Sequence, residues 1–339
     1  MNKKLNPGKL LDNSGNLNEC GYATSLIKEY NRNDIKCSKF RIKEWDYYYV
    51  GDENYGIALT IDDNGYMGLV SASILDFKKK SYKNHANMFW FCFGKTNMPL
   101  SSKNGDVSKK GKGYEAKFTN NNGDRSLYVK IDNYEGKIFE TEINLKETSQ
   151  NSLVVATPFK KDKHFYYNQK INNLKASGYF KFGDFKYVFN DKAYGVLDWG
   201  RGVWTYSNTW YWSSCSGEYN GNIIGFNLGY GFGDTSAASE NILFINDKVY
   251  KLNDVTFNIP KDTKNKEKYL DSWTFSSKNN DIDLKFAPIL DRHDCTNALI
   301  LAQDAHQVFG KFTGTFKVDD KIIEIKDMLG FAEKVKNKW

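Results

Sequence analysis

No stretch of this sequence returns apolar side chains every three to four residues for long, which excludes an architecture of amphipathic helices. No apolar run is long enough to cross a bilayer, and none follows Met1-Asn2-Lys3-Lys4-Leu5 as a secretory leader requires. Proline is rare, five in 339 residues against 27 glycines, so tight turns fall to glycine. Histidine is rarer. The four, at 85, 164, 293 and 306, show no HxH or HExxH spacing, so no metal is indicated. The five cysteines are far apart, odd in number and without a CxxC pair, which fits reduced thiols in a cytoplasmic protein. No Ser-His-Asp order, GxSxG elbow or Walker loop occurs, and nothing calls for a cofactor.

Charge gives little direction either. The net +7 is spread over 48 basic and 41 acidic residues. The densest runs, Lys78-Lys79-Lys80 and Lys109-Lys110 with Lys112, sit in polar, turn-like surroundings and read as solvated loops. Without a recognition helix or finger spacing, nucleic acid is rejected as the partner. The expected partner is a small molecule, with no insertion into membranes.

Aromatic residues are what the chain has in quantity, 16% of it, mostly Tyr and Phe, whose rings suit the half-buried surface of a sheet. Pairs of such runs bracket short polar turns again and again. Tyr55 to Thr60 and Tyr66 to Leu75 flank Asp62-Asp63-Asn64-Gly65; Ser126 to Ile131 and Ile138 to Leu145 flank Asn133 to Gly136. Tyr179 to Phe182 and Phe185 to Phe189 flank Gly183-Asp184, a two-residue hairpin turn. Asn241 to Ile245 with Val249 to Leu252, and Thr313 to Val318 with Ile322 to Ile325, repeat the pattern. Helix is expected only briefly, at Ala23 to Tyr30 and near the C-terminus. The fold class is all-β, with antiparallel barrels or packed sheets.

The chain also echoes itself weakly. Gly178 leads through two strands to Asp198, and Gly314 leads through two strands to Glu333, 20 and 19 residues on. If the echo is real, residues 1–200 and 201–339 are two barrel-like halves, with the acid-bearing motif elaborated only in the first.

Four constellations could carry chemistry. The densest runs from Tyr194 through Asp198-Trp199-Gly200-Arg201-Gly202 to Trp204, Tyr206, Trp210 and Trp212, and holds four of the eight tryptophans. Rings with a few charged groups suit a concave site; the alternative is an aromatic core plug. Gly200 and Gly202 would let the backbone turn on both sides of Arg201, and Arg201 would pair with Asp198. Glu240 and Asn241, after a glycine-aromatic strand at 225–234, are turn formers or polar members of the site. His306-Gln307 opens a strand, and its imidazole could move protons. Finally, Glu44 and Asp46 share one strand face with Tyr48, while Trp45, Tyr47 and Tyr49 share the other. The two acids are then either solvent-facing or barrel-lining.

Taken in order, Lys43 to Tyr48, His164 to Asn168, Leu197 to Gly202, Gly229 to Asp234 and His306 to Gly310 resemble the bacterial family called domain of unknown function 2804. More loosely, the glycine, strand pair and Asp-Trp pattern ending at Asp198 is similar to tandem lipocalin-like proteins of the carotenoid 1,2-hydratase and AttH type. In those relatives a histidine often follows the aspartate; Trp199 stands there here. The resemblance implies two lipocalin-like halves in tandem.

The expected function is acid–base catalysis on an organic or sugar ligand held between the halves: hydration, elimination, cyclisation or glycoside hydrolysis. Asp198 with Glu240 or His306 would transfer protons, assisted by Arg201. Trp199, Trp204, Tyr206, Trp210 and Trp212 would form the wall, with Trp45, Glu44, Asp46, Asn241 and Gln307 as further contacts. The alternative is a non-catalytic lipocalin-like binder, which needs the rings but no titrating pair.

Overall fold

The computed structural model describes residues 2–298 and 301–339. Two large antiparallel sheets, of 13 and 9 strands, hold every named strand except Gly8–Lys9 and Lys28–Glu29, which pair with each other. The main path of the first sheet runs Ser81–Trp90, Met67–Asp76, Tyr55–Asp63, Ile42–Gly51, Tyr194–Val203, Phe165–Phe182, Lys137–Glu147, Asp124–Tyr134, Tyr114–Asn121 and Val107–Gly111; off it, Leu153–Pro158 and Phe185–Val188 pair with Phe165–Phe182, and Gly21–Ala23 with Leu153–Pro158. The second runs Lys248–Lys251, Ile242–Ile245, Asn222–Tyr230, Ser207–Tyr219, Lys321–Lys338, Leu301–Val318, Ile282–Ala298, Trp273–Ser277 and Val255–Asn258. Each sheet curls around its own apolar core, one built on residues such as Leu59, Ile131, Phe180 and Trp199, the other on Phe226, Trp273, Phe286 and Phe312. These are the two lipocalin-like halves.

The halves share a plan. In each, a meander of four strands meets the last strand of the sheet, which pairs in turn with a long, bulged strand: Phe165–Phe182 in one half, Leu301–Val318 in the other. Gly178 and Gly314 hold matching places on those long strands. Their φ values are +127° and +146°, and a Cβ on either would stand 2.1 Å from a carbonyl oxygen of the next strand, Glu142 or Asp283. Only glycine fits such a close backbone approach.

Two further aromatic clusters join the halves. Tyr49, Leu75, Phe77 and Val196 pack with Trp212, Leu290, Phe309 and Phe331, while Tyr22, Tyr166 and Trp204 pack with Phe232, Ile242 and Phe244.

The hairpins expected at 55–75, 126–145, 179–189, 241–252 and 313–325 are all present. The expected helices are not. Among the described residues only two single-turn 3-10 helices occur, Arg32–Asp34 and Lys39–Arg41. Gly21–Ala23 instead pairs with Leu153–Pro158, and Lys28–Glu29 with Gly8–Lys9. A two-turn helix is marginal in water, and free sheet edges offered those residues better-paired backbone. The C-terminal segment Lys321–Lys338 is one 18-residue strand. Lys78 to Lys80 form an exposed turn as expected, but Lys109 and Lys110 lie within strand Val107–Gly111. No helix among the described residues is long and apolar enough to cross a membrane.

Candidate functional site

Strand Tyr194–Val203 lies mid-sheet and all ten of its residues are buried, because both faces are covered. Strand alternation sends Asp198 toward the second half and its neighbours Leu197 and Trp199 into the first core. The Asp198 carboxylate is fully engaged. Oδ2 accepts the indole N–H of Trp45 at 3.1 Å; Oδ1 accepts from the Asn168 amide and pairs with Lys170 Nζ at 3.1 Å. Trp45 can lie this close because position 200 is glycine: a Cβ there would sit 1.9 Å from the indole ring.

Glu333 repeats this arrangement from the other half. Its strand, Lys321–Lys338, pairs with Ser207–Tyr219 as the Asp198 strand pairs with Ile42–Gly51. Asp198 lies opposite Tyr47, two residues beyond Trp45; Glu333 lies opposite Trp212, two residues beyond Trp210. Trp210 donates its indole N–H to Glu333 Oε1 at 2.8 Å. On the other side Lys170 faces Asp198 in register, and Gln307 faces Glu333, donating to Oε2 at 2.9 Å. The halves then cross over. Tyr47 donates to Gln307 Oε1 at 3.1 Å, and Lys170 Nζ lies 3.9 Å from the Trp212 ring centroid, within cation–π reach.

One difference breaks the symmetry: Asp198 has an ammonium partner and Glu333 has neutral donors. Burial pushes the Glu333 carboxyl up to about 7, against the opposing pull of the Trp210 hydrogen bond and of Lys170. Glu240 is pushed up by burial too, with Lys170 pulling it down. Asp62 reaches about 7 for the same first reason, opposed chiefly by the Leu69 backbone N–H.

These groups line one cavity of about 280 Å³ between the halves. Trp45, Trp204, Trp210, Trp212, Tyr47 and Phe232 form its apolar wall; Asp198, Glu240, Glu333, Lys170, Arg292 and Gln307 supply its polar groups. Few polar groups set among rings is the composition of a small-molecule site. A larger hollow of about 420 Å³ opens at the far end of the same strands, beside Lys192, Glu218 and Lys326. Its lining mixes glycines, exposed charges and rings such as Tyr49 and Phe331, and its one buried carboxylate, Asp52, has no second beside it in the lining.

Several expected members lie elsewhere. Asp198 and Arg201 do not pair, since positions three apart on a strand point to opposite faces. Arg201 is wholly buried in the first half, pairing with Asp46 at 2.9 Å, donating to the Pro99 carbonyl and lying over the Trp199 ring. Gly200 and Gly202 make no turn; they sit mid-strand, under Trp45 and against the Phe165 carbonyl. Trp199 is therefore core, wedged edge-on against Tyr30 and Tyr167. Glu44 and Asp46 share one face as expected, but it is neither solvated nor part of this cavity: Glu44 binds Tyr30 and Arg32, and Asp46 binds Arg201. Asn241 braces backbone, accepting from Gly229 N and donating to the Asn253 carbonyl. Tyr206 is half exposed and outside the lining. His306 points away from the cavity that its neighbours Ala305 and Gln307 line, and bonds Asp291.

The charged site residues missed are Glu333, Lys170, Arg292 and Asp62. A signal for Glu333 existed: it ends the second copy of the glycine-to-acid echo, and Trp210-Tyr211-Trp212 matches Trp45-Asp46-Tyr47 as a second Trp-x-aromatic step. The acid motif is thus elaborated in both copies.

A family model described as domain of unknown function (DUF2804) matches residues 2–339. No curated protein matches the chain. Among solved structures, kievitone hydratase from Nectria haematococca superposes with a TM-score of 0.50 at 12% identity, covering 93% of this chain and 97% of its own. An AttH-type protein from Nitrosomonas europaea gives a TM-score of 0.49 at 11% identity, covering 91% and 96%. At such identities the likeness to kievitone hydratase concerns the fold alone.

Proposed function

Because this chain belongs to the DUF2804 family, and a shared fold carries no chemistry by itself, we propose a function from the contents of its cavity: acid–base catalysis on a small unsaturated organic molecule. The reaction is addition or elimination of water, or a cyclisation of the same proton economy. The observation that carries this reading is the matched pair, Asp198 and Glu333, each anchored by an indole N–H from its own half and each facing one ring-lined hollow. Titratable groups pushed apart by their surroundings are how one site holds an acid and a base at once. Glu333, raised to about 7, is the proton donor; Asp198, held against Lys170, is the acceptor.

In the hydration direction, Asp198 removes a proton from water as the oxygen bonds to one alkene carbon. Glu333 delivers its proton to the other carbon, and the two carboxyls exchange roles in elimination. Arg292 and Lys170 bear on the oxygen substituent that polarises the double bond. Glu240 is the reserve carboxyl beside Lys170. Glycoside hydrolysis would use the same pair, and the product separates the two.

A non-catalytic binder remains the competing reading, favoured by the ring wall, which needs no proton donor. The two part in a screen of enones, phenolic alkenes and glycosides, followed by mass and by deuterium uptake from heavy water. Catalysis predicts gain or loss of one water, or deuterium at carbon. Glu333→Gln and Asp198→Asn should each lower turnover by about 10²–10⁴-fold while ligand quenching of Trp fluorescence persists. Quenching without turnover or exchange in the wild type establishes the binder.

A further inference from the structure

The hairpin of Ile282–Ala298 and Leu301–Val318 sends Gln303, Ala305 and Gln307 to the cavity. Its opposite face carries a separate cluster. His293 and His306 stand directly across from each other in register, their rings stacked at 3.9 Å and 7°. Asp304, two residues before His306, shares their face. His293 Nε2 lies 2.9 Å from Asp304 Oδ1, and His306 Nε2 lies 3.4 Å from the same oxygen. All three donor atoms fall within 4.8 Å of one another.

His306 is also set in place from behind. Asp291 Oδ2 holds its Nδ1 at 2.7 Å, and the ring lies flat on Tyr269, 3.7 Å between centroids. With Nδ1 turned to Asp291, Nε2 of His306 is the ring nitrogen that faces the Asp304 carboxylate. Zinc–nitrogen bonds of about 2.0–2.1 Å place tetrahedral donor atoms about 3.3 Å apart, close to the two separations seen. Carboxylate, then histidine, then ion is the arrangement that fixes ring orientation and sharpens the nitrogen as a ligand.

We propose that His293 Nε2, His306 Nε2 and Asp304 Oδ1 bind one divalent first-row transition ion of zinc's class, with Asp291 orienting His306 and water completing the shell. The side chains of His293 and Asp304 are 40% and 49% exposed, which gives the ion an entry path. Because this face is turned from the cavity, the ion ties the two strands of the cavity wall together and takes no part in the proton transfers. It stands or falls independently of them.

The test uses the full chain, stripped with chelator and titrated with Co²⁺ alone, then with Zn²⁺ in competition. Expected are one Co²⁺ per chain with a visible d–d band, displacement by Zn²⁺, and a metal-dependent rise in melting temperature. His293→Gln, Asp304→Asn and His306→Ala should abolish the band, Asp291→Asn should weaken affinity about 10–100-fold, and His164→Ala should change nothing. His293→Gln decides the matter if a more buried variant fails to fold. Absence of stoichiometric binding, or binding that survives His293→Gln, overturns the site.

Discussion

At position 170 the chain places a lysine and at the matching position 307 a glutamine, each facing its carboxyl across one strand pair. That substitution makes two equivalent acids chemically unlike. The consequence can be read without knowing the substrate. Glu333 moves from an ordinary 4.5 to about 7 on folding, mainly through burial. Between those values the native state binds a proton that the unfolded chain has released, so unfolding free energy falls as pH rises. The contribution is complete below 4.5, declines toward about 7, and is flat above. Its slope is at most about 1.4 kcal/mol per pH unit. Asp62 slopes the same way, so the isolating measurement is a difference: urea unfolding from pH 4 to pH 9, wild type minus Glu333→Gln. The variant should lose stability less steeply, and parallel curves would show that Glu333 is not a raised acid. Of the residues singled out from sequence, Asp198, Glu240, Trp45, Trp204, Trp210, Trp212 and Gln307 line the cavity, and for all but Gln307 the signal was a ring or an isolated acid. Arg201 and Trp199 were misplaced because glycines at 200 and 202 suggest a turn, and in a turn the parity of positions is lost.

For the strands, hairpin order was legible because aromatic runs and polar turns alternate regularly, and the sequence spacing sets the register. Of the two segments expected as helix, Ala23 to Tyr30 starts on a strand whose partner, Leu153–Pro158, lies more than a hundred positions away, and the C-terminal segment is held in a strand between its sequence neighbour Leu301–Val318 and the distant Ser207–Tyr219. The deeper regularity is the matching pair of long strands, each with a glycine pressed on the next strand's carbonyl, Gly178 on Glu142 and Gly314 on Asp283. If the halves are equivalent at this point, Gly178→Ala and Gly314→Ala should be similarly costly. Both introduce a Cβ 2.1 Å from backbone oxygen at an unfavourable φ, which only a shift of the strand relieves. A loss of about 2–4 kcal/mol is expected for each, in the upper range for single substitutions. Gly136→Ala, with nothing within 4 Å of its Cβ, is the control for conformational strain alone at φ +79°. A Gly314 variant no less stable than that control would mean that the long strands do not need to approach so closely. The same measurement asks whether the sequence echo is structural or accidental.

For the whole molecule, the cavity has no owner among the halves. The pair Asp198 and Glu333 comes one from each, and each one's flank is completed from the opposite half through Tyr47 to Gln307 and Lys170 to Trp212. The sequence could suggest two halves from the echo, but the way they face each other was not legible, because contacts between surfaces leave no periodic trace in either chain segment. Those contacts are extensive: two shared aromatic clusters, and Asn172, at the bulge of strand Phe165–Phe182, donating to Ser214 Oγ at 2.8 Å and the Phe226 carbonyl at 3.0 Å. Burying rings from both sides makes separate melting of either half expose apolar surface on the other, at roughly 25 cal/mol per Å². Calorimetry of the intact chain should therefore give one transition whose calorimetric and van't Hoff enthalpies agree. Asn172→Ala removes donors from buried acceptors across the joint and should lower stability by about 1–3 kcal/mol. Two transitions in the wild type, or an Asn172→Ala chain as stable as the parent, would mean that the halves fold alone and meet loosely. A cavity closed by residues of both could not then hold its two carboxyls in a fixed relation, and the proton-transfer reading would lose its geometry.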